Sequence, residues 1–320
     1  MNRAFRALRW LAATGVVLIA GNLLWRQFQS LSVATLHDAW IATPMSAIVL
    51  SVIATAISFA CLAAYEWFAT TRAVPGRVPT GAALLVGVTA HAIANTLGFH
   101  AITAGALRYR AYRRFGLGVA DVTRIVALVG VCVAAGVVSI SGLATLAVGM
   151  PGDRSTAMAL MALALLVCLA VASVVAMRTH ARTAILVRRA IGLCVVGTIE
   201  MAASIGALYV LIPTSAMPDP ANFVLLFVSA TLLGIVSHVP GGIGVFEAAI
   251  LAAMPSNERA GVLIALLAYR AIYNLLPFLL AVATEICIAS SRSRHEEQGI
   301  NSTVDTSAST VAGEGAGEPA

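Results

Sequence analysis

The stretch Ser237-His238-Val239-Pro240-Gly241-Gly242-Ile243-Gly244-Val245-Phe246-Glu247 interrupts an apolar run that begins near Phe223 and resumes over residues 250–254. A proline, three glycines and a carboxylate stand where a lipid-facing helix would otherwise continue. Hydrocarbon tolerates non-helical backbone only where protein buries it or a wet cavity solvates it, because each unpaired N–H or C=O costs several kcal/mol there. The stretch therefore reads as a broken helix whose tip faces a polar pathway. The plainer alternative is a glycine-rich helix-packing seam.

The rest of the composition sets that element in a membrane. The chain has 320 residues, 60% hydrophobic and 11% charged, with a mean hydropathy of +0.92. That is too few charges to coat a soluble fold of this size, so the reading is an all-α polytopic integral membrane protein. The basic residues are all arginine, mostly in short segments between apolar runs. This pattern reads as orientation signals and contact with anionic lipid at the cytoplasmic leaflet, not nucleic-acid binding. Cys61, Cys132, Cys168, Cys194 and Cys287 are scattered within apolar runs without metal-type spacing and read as free, buried small hydrophobes.

Along the chain, Arg3, Arg6 and Arg9 precede an apolar run at 10–24 that reads as an uncleaved first helix. A second span covers about 45–64 and ends at Tyr65-Glu66-Trp67, an interfacial aromatic pair around a carboxylate. Residues 81–105 are apolar but carry His91, Asn95, Gly98, His100 and Gly105, and lead into Arg108-Tyr109-Arg110-Ala111-Tyr112-Arg113-Arg114. Further spans are expected at 122–148, 157–177, 190–212 and 261–288, with Glu200 near the middle of 190–212. From residue 290 the composition shifts to Ser, Thr, Gly and Glu, which cannot bury a core. The domain organisation expected is a membrane domain over 1–289 and a disordered cytoplasmic tail over 290–320.

Charge decides the topology. If every apolar stretch crossed the bilayer from an inside N-terminus, the arginine clusters at 108–124 and 178–189 would both lie outside, against the positive-inside bias. If 81–105 dips in from the cytoplasm and returns, and 222–254 does so from the opposite side, every dense cluster becomes cytoplasmic. About six full transmembrane helices and two re-entrant broken-helix elements result, with both termini cytoplasmic. Residues 8–149 and 157–288 then repeat one series of elements in opposite orientation, an inverted-topology repeat of the kind that forms a midplane pathway between discontinuous helices. Residues 222–239 alone reach about 27 Å at 1.5 Å per residue, so a plain crossing stands as the alternative.

Three ordered motifs carry a family resemblance. Asn95-Thr96-Leu97-Gly98-Phe99 with Thr103-Ala104-Gly105-Ala106-Leu107-Arg108-Tyr109-Arg110-Ala111-Tyr112 and Gly116-Leu117 is the first; Pro240-Gly241-Gly242-Ile243-Gly244-Val245-Phe246-Glu247 is the second; Tyr269-Arg270 with Pro277 is the third. Together they resemble the membrane region of the lysylphosphatidylglycerol synthase/flippase family, over roughly residues 45–288. Full-length members add a large cytoplasmic aminoacyltransferase domain, whereas only some thirty polar residues follow the last span here. The resemblance implies the stand-alone membrane branch, a bacterial plasma-membrane location and a lipid substrate, without aminoacyl transfer.

The marked residues suit a headgroup path. A charge at a helix centre costs about 2.5–3.5 kcal/mol on insertion scales, so Glu200, Glu247 and Arg270 are expected to pair or face water. Arg270 is the expected partner of Glu247 or Glu200. Arg270, Tyr273 and Asn274 stand at i, i+3 and i+4 and share one face, which meets either a phosphate or the carboxylates; the alternative is a buried ion pair that fixes helix register. Backbone N–H groups after Gly242 or Gly244 would suit an anionic headgroup, while Glu247 would suit a cationic one or a proton. Arg108 and Arg110 read either as captors of phosphodiesters or as simple anchors. His91, His100 and His238 lack a completing ligand set and read as cavity-lining or hydrogen-bonded histidines.

The expected function is a flippase-like transporter moving a phospholipid or related headgroup between leaflets, with Asn95, Gly98, Arg108, Arg110, Glu200, His238, Pro240, Gly241, Gly242, Gly244, Glu247, Arg270, Tyr273 and Asn274 along its path. Its partners would be membrane lipids, anionic phospholipid among them, and no cofactor, metal or catalytic residue is expected. The alternative is a non-transporting membrane partner of a lipid or glycolipid biosynthetic enzyme, in which the same polar residues are structural fixtures.

Overall fold

The computed structural model describes residues 33–97, 100–148, 183–237 and 239–288, which are helical or in turns, with no strand among them. The expected spans at 10–24 and 157–177 and the tail from 290 lie outside the described residues, as do Gly98 and His238. Of the described residues, those as far as Phe278 belong to one compact unit, and the helical residues 279–288 belong to a second.

After a short α1 (Val33–Ile41), α2 (Met45–Ala73) starts behind Pro44 and runs 29 residues. At 1.5 Å per residue that is about 43 Å, longer than the ~30 Å hydrocarbon core. The helix therefore continues past the expected end at 64. Tyr65 and Glu66, expected at an interface, lie inside its run and are buried, while Trp67 is exposed.

α2 also displays the membrane pattern, in which small and hydroxyl-bearing residues face protein and large aliphatics face outward. Ala47, Ser51, Thr55, Ser58, Leu62 and Glu66 are buried; Val49, Leu50, Val52, Ile53 and Ile57 are exposed. Lipid tails are as apolar as leucine, so burying leucine gains little there, and close packing and hydrogen bonds decide which face turns inward.

The chain continues through α3 (Thr80–Leu97), α4 (His100–Tyr112), a 3-10 turn and α5 (Val119–Val148). Then come α6 (Thr183–Tyr209), α7 (Pro220–Val236), α8 (Val245–Ala252) and α9 (Arg259–Tyr269), which runs on into a π-helical turn at Arg270–Leu275. α7 has a well-built start: Pro220 occupies its first turn, and the Asp219 carboxylate accepts the N–H groups of Ala221 and Asn222 at 3.1 and 3.0 Å.

Helices touch by backbone where glycines permit it. A Cβ on Gly87 of α3 would stand 2.7 Å from the Glu66 Cβ, and one on Gly136 of α5 would stand 2.6 Å from the Gly197 carbonyl oxygen of α6. Ser51 donates to the Ala207 carbonyl at 2.8 Å, tying α2 to α6.

Among the described residues, five helices are long and apolar enough to cross a membrane: Met45–Ala73, Thr80–Leu97, Val119–Val148, Gly192–Tyr209 and Ser256–Ile288. Four coincide with expected spans. The fifth, Thr80–Leu97, is the first arm of an element expected to dip and return; its 18 residues reach about 27 Å, so it has the length to cross by itself. The helix is interrupted between Val236 and Val245, where the sequence marks a break, whereas residues 98–99, between α3 and α4, lie outside the described residues.

Candidate functional site where a helix break meets the end of α3

The second break is built on left-handed backbone. Gly241, Gly242 and Gly244 have φ of 62°, 63° and 88°, a region in which a side chain is strained. α7 ends as Ser237 turns its hydroxyl onto the Gly234 carbonyl at 2.7 Å; Pro240–Gly242 then form a single 3-10 turn. Gly244 caps α8, and its N–H is accepted by the Glu247 carboxylate at 2.7 Å. The carboxylate thus satisfies an orphan donor of the very helix that carries it.

This turn abuts the end of α3. A Cβ on Gly241 would lie 2.9 Å from the Thr96 carbonyl oxygen. The π-helical turn of the last helix completes the junction: Asn274 Nδ2 reaches the Asn95 carbonyl at 3.4 Å, and the Thr96 hydroxyl reaches the Asn274 carbonyl at 3.3 Å. Asn274 Oδ1 is buried there without a hydrogen-bond partner. Turns of the π type are frequent at functional sites because they redirect side chains from the regular helical register.

Arg270 ties the junction together. Its Nε donates to Glu247 Oε1 at 2.6 Å and its Nη1 to the Gly241 carbonyl at 3.0 Å, while the guanidinium lies 5.4 Å from the centre of the Phe246 ring. Of the two expected partners, the geometry selects Glu247.

Glu200 sits in a second cluster. It is buried, and its Oε1 accepts from the Ser58 hydroxyl at 2.9 Å; that hydroxyl lies 2.8 Å from the Tyr273 hydroxyl. Tyr273 stacks on Tyr269 at 5.1 Å, and Tyr269 on Phe246 at 6.2 Å, so an aromatic column runs from the Glu200 cluster to the ring beneath Arg270. Arg270, Tyr273 and Asn274 thus do not act as one face. The widened turn sends Arg270 and Asn274 to the junction and Tyr273 to α2.

A third cluster uses Arg108 differently from either sequence reading. Arg108 is 2% exposed and Glu66 0%. The guanidinium donates from Nε to Oε1 and Oε2 at 3.1 and 2.9 Å and from Nη2 to Oε2 at 2.7 Å, and the Tyr112 hydroxyl donates to Oε1 at 2.8 Å. Burial, and next the neighbouring Glu66 charge, push the Tyr112 hydroxyl well above its ordinary range and keep it a donor. Arg108 is therefore an internal tie between α2 and α4, its guanidinium turned onto Glu66. Arg110, two residues on, is exposed.

Of the expected site residues, the structure gathers Asn95, Pro240, Gly241, Gly242, Gly244, Glu247, Arg270 and Asn274 into one junction. Glu200 and Tyr273 form the adjoining cluster; Arg108 and Arg110 stand apart from both. Glu66, Ser58, Thr96, Phe246 and Tyr112 complete these clusters without having been marked as site residues. The helical stripe Ser51, Thr55, Ser58, Glu66 was the available signal for two of them. His91 is buried with Nδ1 2.8 Å from the Gly87 carbonyl, as its hydrogen-bonded reading expects.

No family model matches the chain. It is 37% identical over 101 residues to Uncharacterized protein slr0712 of Synechocystis sp., covering 30% of this chain and 31% of that one. It is 33% identical over 67 residues to Inner membrane protein YbhN of Escherichia coli (strain K12), covering 20% of this chain and 21% of that one. The matches thus span about a third and a fifth of those relatives. Taken with the apolar helices, the similarity identifies a multi-pass membrane protein.

Proposed function

We propose that this protein is a flippase-like transporter of the bacterial inner membrane, passing a phospholipid or related headgroup between leaflets while the acyl chains stay in the bilayer. In this reading α3–α4 and α7–α8 are re-entrant elements of an inverted repeat, both termini are cytoplasmic, and the two halves rock about the junction. No bond is made or broken, so the protein is a carrier and not an enzyme.

The observation that supports the reading most is the contact between the α7–α8 break and the end of α3. Gly241 abuts the Thr96 carbonyl, and Arg270 holds Glu247 and the Gly241 carbonyl at that point. An anionic headgroup would compete with Glu247 for Arg270, and its departure from the pair would release the Gly244 N–H as a second donor. The Glu247–Arg270 pair is then the closed form of a polar gate.

A second reading, a non-transporting partner of a lipid-biosynthetic enzyme, draws support from the Glu66–Arg108 tie, which shows that this chain also uses buried charge as a structural fixture.

Vesicles carrying purified protein and labelled phospholipids distinguish the two. Accelerated equilibration between leaflets, lost in folded Glu247→Gln and Arg270→Ala variants, is expected for the transporter. No acceleration with anionic, zwitterionic or aminoacylated lipid would turn the assignment to the partner reading.

A further inference from the structure

We infer that the outer face of the α4–α5 hairpin is a binding site for one anionic phospholipid, with an acyl chain in an apolar groove and the headgroup on the arginines of the connecting turn. A groove of about 440 Å³ opens between the helices, lined by Gly105, Ala106 and Tyr109 of α4 and Val119, Val122 and Val126 of α5. It has a structural origin. α4 turns Ala104, Arg108 and Tyr112 inward, onto the Glu66 side, which leaves the small residues Gly105 and Ala106 facing α5. A Cβ added at Gly105 would meet nothing within 4 Å, so the gap is open space.

The walls suit hydrocarbon. Thr123 also lines the groove, but its hydroxyl turns back onto the Val119 carbonyl of its own helix at 2.9 Å and leaves its methyl for the groove. From Ile102 to Tyr109 the groove follows α4 for about 10 Å, at 1.5 Å per residue. In a membrane protein an outward apolar groove of this kind meets acyl chains, not water.

The polar end specifies the headgroup. The groove finishes at Tyr109 and Val119, beside the turn that carries Arg113 and Arg114, and Arg124 follows Thr123 on α5; all three arginines are exposed. The acidic groups nearby are already matched: Glu66 by Arg108, and Asp121 by Arg77 at 3.1 Å. The corner therefore presents uncompensated positive charge where a phosphodiester would lie, with Tyr109 at the boundary that tyrosine favours. This site is separate from the Arg270 junction and does not depend on translocation; a failed transport assay leaves it standing, and its own failure leaves the gate standing.

The test is native mass spectrometry of the full chain released from detergent, titrated with phosphatidylglycerol or phosphatidylcholine. Expected is one tightly retained phosphatidylglycerol per chain in preference to phosphatidylcholine. Arg113→Gln with Arg114→Gln should weaken retention by about fivefold per charge and erase the preference. Gly105→Leu, which fills open space, should abolish retention; Ala106→Leu serves if that variant does not fold, and Val52→Leu on α2 should change nothing. Equal retention of both lipids, or retention unchanged in the groove-filling variants, would overturn the assignment. So would displacement of the lipid by soluble glycerophosphate at similar concentration, which would show an anion site without a role for the groove.

Discussion

Arg270 and Glu247 face each other across the α7–α8 break with Nε 2.6 Å from Oε1, and each has a second duty: Arg270 holds the Gly241 carbonyl, and Glu247 accepts the Gly244 N–H. Exchanging the two charges keeps the attraction and loses both duties, because an arginine at 247 cannot accept from Gly244 and a glutamate at 270 cannot donate to Gly241. Glu247→Arg alone and Arg270→Glu alone should each destabilise by about 3–5 kcal/mol, as an unpaired buried charge does. The double exchange should recover only part of that loss. Thermal unfolding in detergent, run as a double-mutant cycle, measures the recovery.

The Glu66–Arg108 tie predicts a different pattern. Arg108→Ala strands a carboxylate that is 0% exposed, for a loss of about 3–5 kcal/mol. Replacing both partners by apolar residues of similar volume, Glu66→Leu with Arg108→Met, should cost less than either single change. Arg110→Ala, two residues away and exposed, should leave stability within ~0.5 kcal/mol. Full recovery of lipid transport in the double variant, where transport is found, would mark the pair as scaffold.

Glycine position sets the third prediction. Gly241→Ala combines a φ of 62° with a Cβ 2.9 Å from the Thr96 carbonyl, and backbone cannot move aside cheaply. A loss of about 1–3 kcal/mol is expected, with loosening of the Asn95–Asn274 contact. Gly105→Ala, helical and facing open space, should be neutral or stabilising by up to ~1 kcal/mol. Equal effects at the two positions would argue against the close approach at Gly241.

These contrasts also mark what the sequence made legible. The break at 237–244 was readable because proline and clustered glycine cannot continue a helix in hydrocarbon, and Arg270 was readable because a charge there demands a partner. The choice of Glu247 over Glu200 was not, since it depends on a π-helical turn that regular i, i+3 and i+4 spacing does not anticipate. The buried tie of Arg108 was not legible for a related reason. Its neighbours Arg110, Arg113 and Arg114 suggest a surface run, whereas the partner that draws Arg108 inward, Glu66, lies 42 positions away on a helix longer than the span expected for it.

The Ser58, Glu200 and Tyr273 cluster gives the last prediction. Ser58 is the donor at 2.9 Å to Glu200, and its oxygen lies 2.8 Å from the Tyr273 hydroxyl. With the single Ser58 proton given to the carboxylate, the tyrosine must donate to Ser58. Tyr273→Phe then removes one terminal donor while the ring keeps its stack on Tyr269, for a loss of about 0.5–1.5 kcal/mol. Ser58→Ala removes the donor to the buried Glu200 carboxylate, an unsatisfied charged group that costs at least about 1–3 kcal/mol, while the Tyr273 hydroxyl keeps its contact with Ser204. Ser58→Ala should therefore be the more damaging change although it deletes the smaller group. Because both act through one hydroxyl, adding Tyr273→Phe to Ser58→Ala should cost little more, and a sum of the two single losses in thermal unfolding would break the chain of donation argued here.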